Sequence, residues 1–250
     1  MDEAKQTTAD LPKITLVTLG GAFGMRNVSP FCLKLEMLLT SLGIPFEEAV
    51  EQDPRKAPKG KLPYMEIDGQ KMADSELITQ YINDMTQGRV YAGISAQDQA
   101  YGTALTRLAE DHLYWIMVAS RWLDDAWWPN IVEGFFHIAP ALIRPLIANG
   151  ARRQTRRTYD LQGLGRHSME EQRSFAERDL QALQDALGDG EFLSGDSPNI
   201  FDFTIASILT GYIDNKPATW LTELGKNYPE LEAYAERVQA YVGVYARELS

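Results

Sequence analysis

The chain has 250 residues, with 24 Lys and Arg against 35 Asp and Glu, a net charge of −11 at pH 7. Hydrophobic residues make up 44% and charged residues 24%, which excludes a disordered chain, and the acidity argues against general nucleic-acid binding. A single cysteine, Cys32, excludes an intramolecular disulfide framework and a cysteine-rich zinc module. At about 150 residues per domain, the length allows one large domain or two modest ones.

The first ten residues carry acids and no apolar stretch, so they read as a frayed tail and not as a leader. Residues 14–19 are a β-branched apolar run that reads as a buried strand. A glycine-containing loop over 20–28 follows, long enough to cover a site. Ser29-Pro30 then opens a helix, with Ser29 suited to the N-cap and Pro30 to the first turn, and Phe31, Leu35, Leu38, Leu39 and Leu42 at helical spacing. Gly43 ends it. Residues 46–50 read as a second strand, 52–60 as a loop, and 62–67 as a third strand. Asp68-Gly69 is a hairpin turn into a short fourth strand at 71–73. Asp74-Ser75 begins another helix, with Leu77, Ile78, Tyr81 and Ile82 on its apolar face.

Residues 12–85 thus form a small α/β unit, β-α-β-loop-β-β-α. A linker over 86–95 leads to 96–250, which reads as an all-helical domain with helices at 96–128, 168–187, 200–213 and 230–245. No apolar run approaches the roughly 20 residues of a spanning helix, so no membrane contact is expected. Residues 134–149, interrupted by His137, Pro140, Arg144 and Pro145, read as a buried bent helix or helix pair. The expected location is the cytoplasm. Arg152, Arg153, Arg156 and Arg157 read as a solvated helix face or as ion-pair partners for acidic groups.

Three local constellations point at one ligand. Ser29-Pro30-Phe31-Cys32 lies at a helix start after a buried strand, where free N–H groups and the helix dipole favour a thiolate. Plain N-capping by Ser29 over a buried Cys32 is the alternative. Lys61-Leu62-Pro63 stands between a loop and a strand; a cis Leu62–Pro63 bond would leave the Leu62 backbone facing an extended peptide, and an ordinary trans proline is the alternative. At Asp74-Ser75, Ser75 and the helix N–H groups suit a ligand carboxylate while Asp74 accepts from an ammonium; simple capping is again the alternative. A thiol, a peptide backbone and an α-amino acid head together describe glutathione.

These residues resemble the glutathione transferase superfamily. Lys59-Gly60-Lys61-Leu62-Pro63-Tyr64-Met65 is similar to its cis-proline segment, and Ala73-Asp74-Ser75-Glu76-Leu77-Ile78 to its acid–serine motif. Asn199-Ile200-Phe201-Asp202 is similar to the capping motif of its helical domain, where Asp202 would cap its own helix. Leu113-Tyr114-Trp115, Arg121-Trp122, residues 162–168 and residues 179–183 resemble the failed-axon-connections and metaxin-like branch, whose catalytic status varies. The resemblance implies a thioredoxin-like N-terminal domain followed by an all-α C-terminal domain. It also implies glutathione as cosubstrate, a small electrophile as second substrate, and a homodimer.

No tyrosine lies near residues 16–19, which speaks against a tyrosine-type transferase, and the resemblance implies Ser29 as the activating hydroxyl, since it stands where serine-type members keep theirs. Lys61 is the candidate for the glycyl carboxylate, with Lys59 and Arg26 as helpers, and Tyr114, Trp115 and Trp122 are candidates to line the electrophile side or to serve as core. Two further readings stand beside the transferase. One is a non-catalytic binding protein on the same fold. The other is a glutathione-dependent reductase using Cys32.

Overall fold

The computed structural model describes residues 12–248, so the N-terminal tail lies outside the described residues. Ile14–Thr18 (β1) is a central strand. It pairs in parallel with Glu47–Val50 (β2) and antiparallel with Tyr64–Ile67 (β3), which pairs antiparallel with Gln70–Ala73 (β4), giving the order β2-β1-β3-β4. The β3–β4 turn is the one expected: Asp68 and Gly69 both take positive φ, at 48° and 82°, the geometry that lets a two-residue turn match strand twist.

Pro30–Ser41 (α1) connects β1 to β2, and Ser75–Met85 (α2) follows β4. The helical half comprises Ala96–Leu108 (α3), Tyr114–Trp122 (α4), Trp128–Phe136 (α5), Arg144–Gln162 (α6), Met169–Leu187 (α7), Ile200–Ile213 (α8), Trp220–Gly225 (α9) and Pro229–Val242 (α10). The helical pattern over 96–128 is therefore not one helix. A π-helical turn at Ala109–Leu113 separates α3 from α4, and the chain leaves α4 after Trp122. The helix expected at 168–187 begins with Ser168 as N-cap, whose hydroxyl caps the Glu171 N–H while the Glu171 carboxylate returns to the Ser168 N–H at 2.7 Å. The last helix stops at Val242, because Gly243 has a φ of 77° and cannot continue it.

α1 and α8 are the two most enclosed helices, and each is buried nearly all round, polar residues included. They pack on each other, with the Ser207 hydroxyl 3.8 Å from the Met37 sulfur, so a single core runs from the sheet through α1 into the helical half. Asn199 is the N-cap of α8, and Asp202 in its first turn reaches back to the Asn199 N–H at 2.9 Å. The same carboxylate also accepts from the Leu193 N–H and from the Tyr234 hydroxyl of α10, each at 2.9 Å.

Residues 134–149 are largely exposed, with Ala148 the one enclosed side chain among them. They form the end of α5, a turn, and the start of α6, and Ile138, Leu142 and Leu146 are 70%, 97% and 75% exposed. Their apolar character comes without helical periodicity onto one core face, so burial does not follow from composition alone. No helix of the described residues is long and apolar enough to cross a membrane. The arginine cluster lies on α6: Arg152 pairs with Asp125 at 2.7 Å and stacks over Trp128, while Arg153, Arg156 and Arg157 are exposed.

The loop over 20–28 does not close over the cleft described below. Its tip, Phe23, packs edge-on against Trp127 and Phe135, with ring centroids 4.8 and 5.1 Å away, and Lys216 and Ala246 hold its backbone. Gly134 makes this docking feasible, because a Cβ there would stand 2.4 Å from the Phe23 ring.

Candidate functional site

A cleft of about 680 Å³ opens between the sheet-bearing half and the helices. One wall comes from chain ends at the edge of the sheet: Leu19 after β1, Ser29 and Pro30 at the start of α1, residues 59–63 before β3, and Asp74 and Ser75 at the start of α2. The opposite wall comes from α3, the π-helical turn, α4 and α6. Loops and helix starts converge here because β1 and β3 run antiparallel, so the C-terminal end of β1 lies beside the start of β3. π-Helical turns recur at functional sites, and this one brings Glu110 and Asp111 to the cleft wall.

Ser29 is the N-cap of α1. Its Oγ accepts from the Cys32 N–H at a long 3.4 Å, and the buried Asn27 side chain accepts from the Ser29 N–H at 3.0 Å. Leu62 lines the cleft, and the Leu62–Pro63 bond is cis, as is Lys216–Pro217. Lys61 is exposed at the rim, its ammonium 5.7 Å from the Trp115 ring centre, and neither it nor Lys59 forms an ion pair among the described residues. Asp74 is the N-cap of α2: Oδ1 accepts from the Glu76 and Leu77 N–H groups at 3.0 and 3.4 Å, and Oδ2 has no partner among the described residues. Capping and a second role toward a ligand are thus compatible. Asp74 also holds φ 90° and ψ 120°, which a non-glycine residue adopts only at a cost. The Ser75 side chain is mostly buried at the cleft wall and its hydroxyl bonds no other described residue.

Two expected residues are elsewhere. Cys32 points into the core, fully buried, and does not line the cleft. Burial pushes its thiol up to about 11, and the opposing hydrogen bonds from Ser29, the Leu19 backbone and Asn27 do not restore it. A buried thiol that stays protonated at neutral pH is a poor nucleophile. Arg26 is drawn away by carboxylates: it pairs with Glu36 at 2.8 Å and Glu48 at 3.6 Å, and donates to the Tyr245 carbonyl. Glu36 is nearly buried, and a charge there requires a partner.

Tyr114, Trp115 and Trp122 do line the cleft. Tyr114 packs edge-on against Phe31 at 4.8 Å, and Trp122 stacks on Phe135 at 5.7 Å. The sequence reading missed two further residues as site groups. Asn27 fixes the Ser29 backbone, and Arg121 lies on the cleft wall two helical turns beyond Tyr114. For Arg121 a signal existed, since an arginine within an apolar helical stretch must be buried or turned out.

A mixed four-stranded sheet joined to a helical half, with a cleft between them lined by two helix N-termini and a cis-proline segment, defines the glutathione S-transferase fold. Residues 30–127 match the family model of the glutathione S-transferase N-terminal domain, and residues 176–238 match that of a C-terminal domain. The chain is 35% identical over 242 residues to the isoprene-epoxide–glutathione S-transferase of Rhodococcus sp. (strain AD45), covering 90% of this chain and 98% of that protein. It is 28% identical over 197 residues to Failed axon connections of Drosophila melanogaster, covering 74% of this chain and 46% of that protein. Among solved structures, a glutathione S-transferase from Methylobacterium radiotolerans in complex with glutathione sulfonate shares the fold with a TM-score of 0.56 at 17% identity, covering 95% of this chain and 98% of that one. The β-etherase LigF from Sphingobium sp. strain SYK-6 does so with a TM-score of 0.58 at 17% identity, covering 91% and 95%. The chain belongs to the glutathione S-transferase family.

Proposed function

We propose that the chain binds glutathione in this cleft and promotes attack of its thiolate on a small electrophile, with Ser29 as the activating hydroxyl. The observation that carries the reading is the convergence of Ser29, Leu62, Asp74 and Ser75 on one wall of one cleft. In this reading Ser75 and the α2 N-terminus hold the γ-glutamyl carboxylate, and the free Oδ2 of Asp74 accepts from its ammonium. The Leu62 backbone pairs with the peptide, and Lys61 and Lys59 attract the glycyl carboxylate against the chain's overall negative charge.

A free thiol titrates at about 8.5, and lowering it by about two units requires roughly 2.7 kcal/mol. One charge-assisted hydrogen bond from Ser29 supplies about 1.5–3 kcal/mol. The N-terminus of α1 adds about 0.3–1 kcal/mol. The electrophile lies against Tyr114, Trp115 and Trp122. The homodimer that the family resemblance implies and the cytoplasmic location expected from the sequence belong to the same proposal. Core burial of Cys32 argues against the reductase reading, because that chemistry needs an accessible thiolate.

Calorimetric titration of glutathione into the wild type and Ser75→Ala, in reducing buffer at pH 7 and at two temperatures, tests the reading. Binding in the micromolar to low-millimolar range, weakened about tenfold or more by Ser75→Ala, is expected for a lost hydrogen bond to a charged carboxylate. Absence of heat at both temperatures refutes it and leaves a binding protein on a transferase fold.

A further inference from the structure

Arg121 is a buried cation in the wall of the cleft, without a counter-ion among the described residues. It is 5% exposed and lies on α4 seven residues after Tyr114, hence on the same helical face. Its only hydrogen bond among the described residues runs from Nη2 to the Gly211 carbonyl of α8. Its Nε is buried and has no partner, and no carboxylate among the described residues lies within ion-pair distance. The Phe23 ring covers one side of the guanidinium, 5.8 Å from Cζ. The other buried cation among the described residues, Lys34, is matched, 2.5 Å from Glu110, and the half-buried Arg26 has Glu36 and Glu48.

An unpaired buried charge costs several kcal/mol of stability, so a structural role alone would favour an apolar side chain here. The cost becomes useful where negative charge arrives from outside. We infer that Arg121 is a catalytic residue that stabilises negative charge forming on an oxygen of the electrophile, so that the site favours epoxides, whose displaced electron pair stays on an oxygen of the bound product. The inference rests on the glutathione reading above and extends it to the second substrate. Burial lowers the guanidinium pKa only to about 10, so it remains a cation at neutral pH.

The step balances simply. The thiolate sulfur attacks an epoxide carbon, a C–S bond forms, and the C–O bond breaks with its electron pair passing to oxygen. Arg121 N–H groups donate to that oxygen as it becomes an alkoxide. The alkoxide then takes a proton from water, replacing the one the thiol released, and the product is a hydroxy thioether. Preorganised donors in a water-poor wall act on this developing charge far more than on the neutral epoxide. A halide leaving group departs with its charge and has no such oxygen. The 35%-identical Rhodococcus relative carries isoprene epoxide in its name, which agrees with this class.

The test compares styrene oxide with benzyl chloride, two electrophiles of similar skeleton, in wild type, Arg121→Met and Arg121→Lys. The expected result is that Arg121→Met lowers kcat for styrene oxide by about 10- to 100-fold more than kcat for benzyl chloride, the loss of one or two charged hydrogen bonds in the transition state. Arg121→Lys, which keeps the charge and guards against misfolding of the methionine variant, should recover part of the ratio. The pKa of the bound thiol should not move. Equal losses on both substrates, a shifted thiol pKa, or a loss confined to KM and greatest for 4-(chloromethyl)benzoate each overturn the inference. These results mean, respectively, a structural role, action on the thiolate, and a standing carboxylate site. Failure of wild-type glutathione binding would instead refute the reading of the cleft itself, which separates the two.

Discussion

Replacing Asp202 by Ala should destabilise the protein severely while leaving the cleft chemistry of the folded fraction intact. The side chain is fully buried, and its two oxygens accept three hydrogen bonds: Leu193 N–H and Tyr234 O–H on Oδ1, Asn199 N–H on Oδ2, each at 2.9 Å. Burial pushes the carboxyl pKa upward, and the same three donors pull it back. Alanine leaves all three donors without an acceptor in a dry environment. At about 1–2 kcal/mol each, the loss should be about 4 kcal/mol. Asp202→Asn keeps a carbonyl for Leu193 and Tyr234 but turns an N–H toward the Asn199 N–H, so about 1–2 kcal/mol is expected. Urea unfolding with a common m-value reads both differences. A loss below about 1.5 kcal/mol for Asp202→Ala, or an Asn variant as unstable as the Ala variant, would refute the reasoning.

Two further outcomes follow from the site. Asp74→Gly relieves a backbone conformation costing about 1–3 kcal/mol and gives up a cap that glycine replaces at a few tenths, so thermal unfolding should show a stabilised variant while glutathione affinity falls. A destabilised Asp74→Gly would contradict the strain argument. Cys32→Ala should conjugate glutathione within about threefold of wild type and lose about 1 kcal/mol of stability, as a core substitution does. Abolished conjugation in a folded Cys32→Ala protein would return the chemistry to the thiol.

The parts of the fold legible in the sequence were those written by local chemistry. The Asp68-Gly69 turn, the Ser29 and Asp74 caps, the helix over 168–187 and the alternating signals of the first 85 residues all act within a few positions of themselves. The helical half was less legible where periodicity and burial part company. The pattern from α3 into α4 continues across the π-helical turn, because the inserted residue shifts the helical face without interrupting its apolar character. α6 is too polar to announce itself, and the apolar residues just before it are exposed. At the site, Arg26 and Lys61 look alike in sequence, yet only Lys61 reaches the cleft, because Glu36 and Glu48 hold Arg26. Cys32 stands at a helix start that favours a thiolate, and its desolvation outweighs that dipole. Neither outcome can be read without knowing which elements pack together.

The central claim is that Ser29 and the α1 N-terminus ionise the bound thiol. The most direct measurement is the ultraviolet thiolate absorbance of glutathione bound to wild type and to Ser29→Ala, followed from pH 5 to 10 at saturating glutathione. The account predicts a bound thiol near 6.5 in the wild type, about two units below the free value, and a rise of roughly one to two units in Ser29→Ala. A bound thiol titrating near 8.5 in both proteins would contradict it.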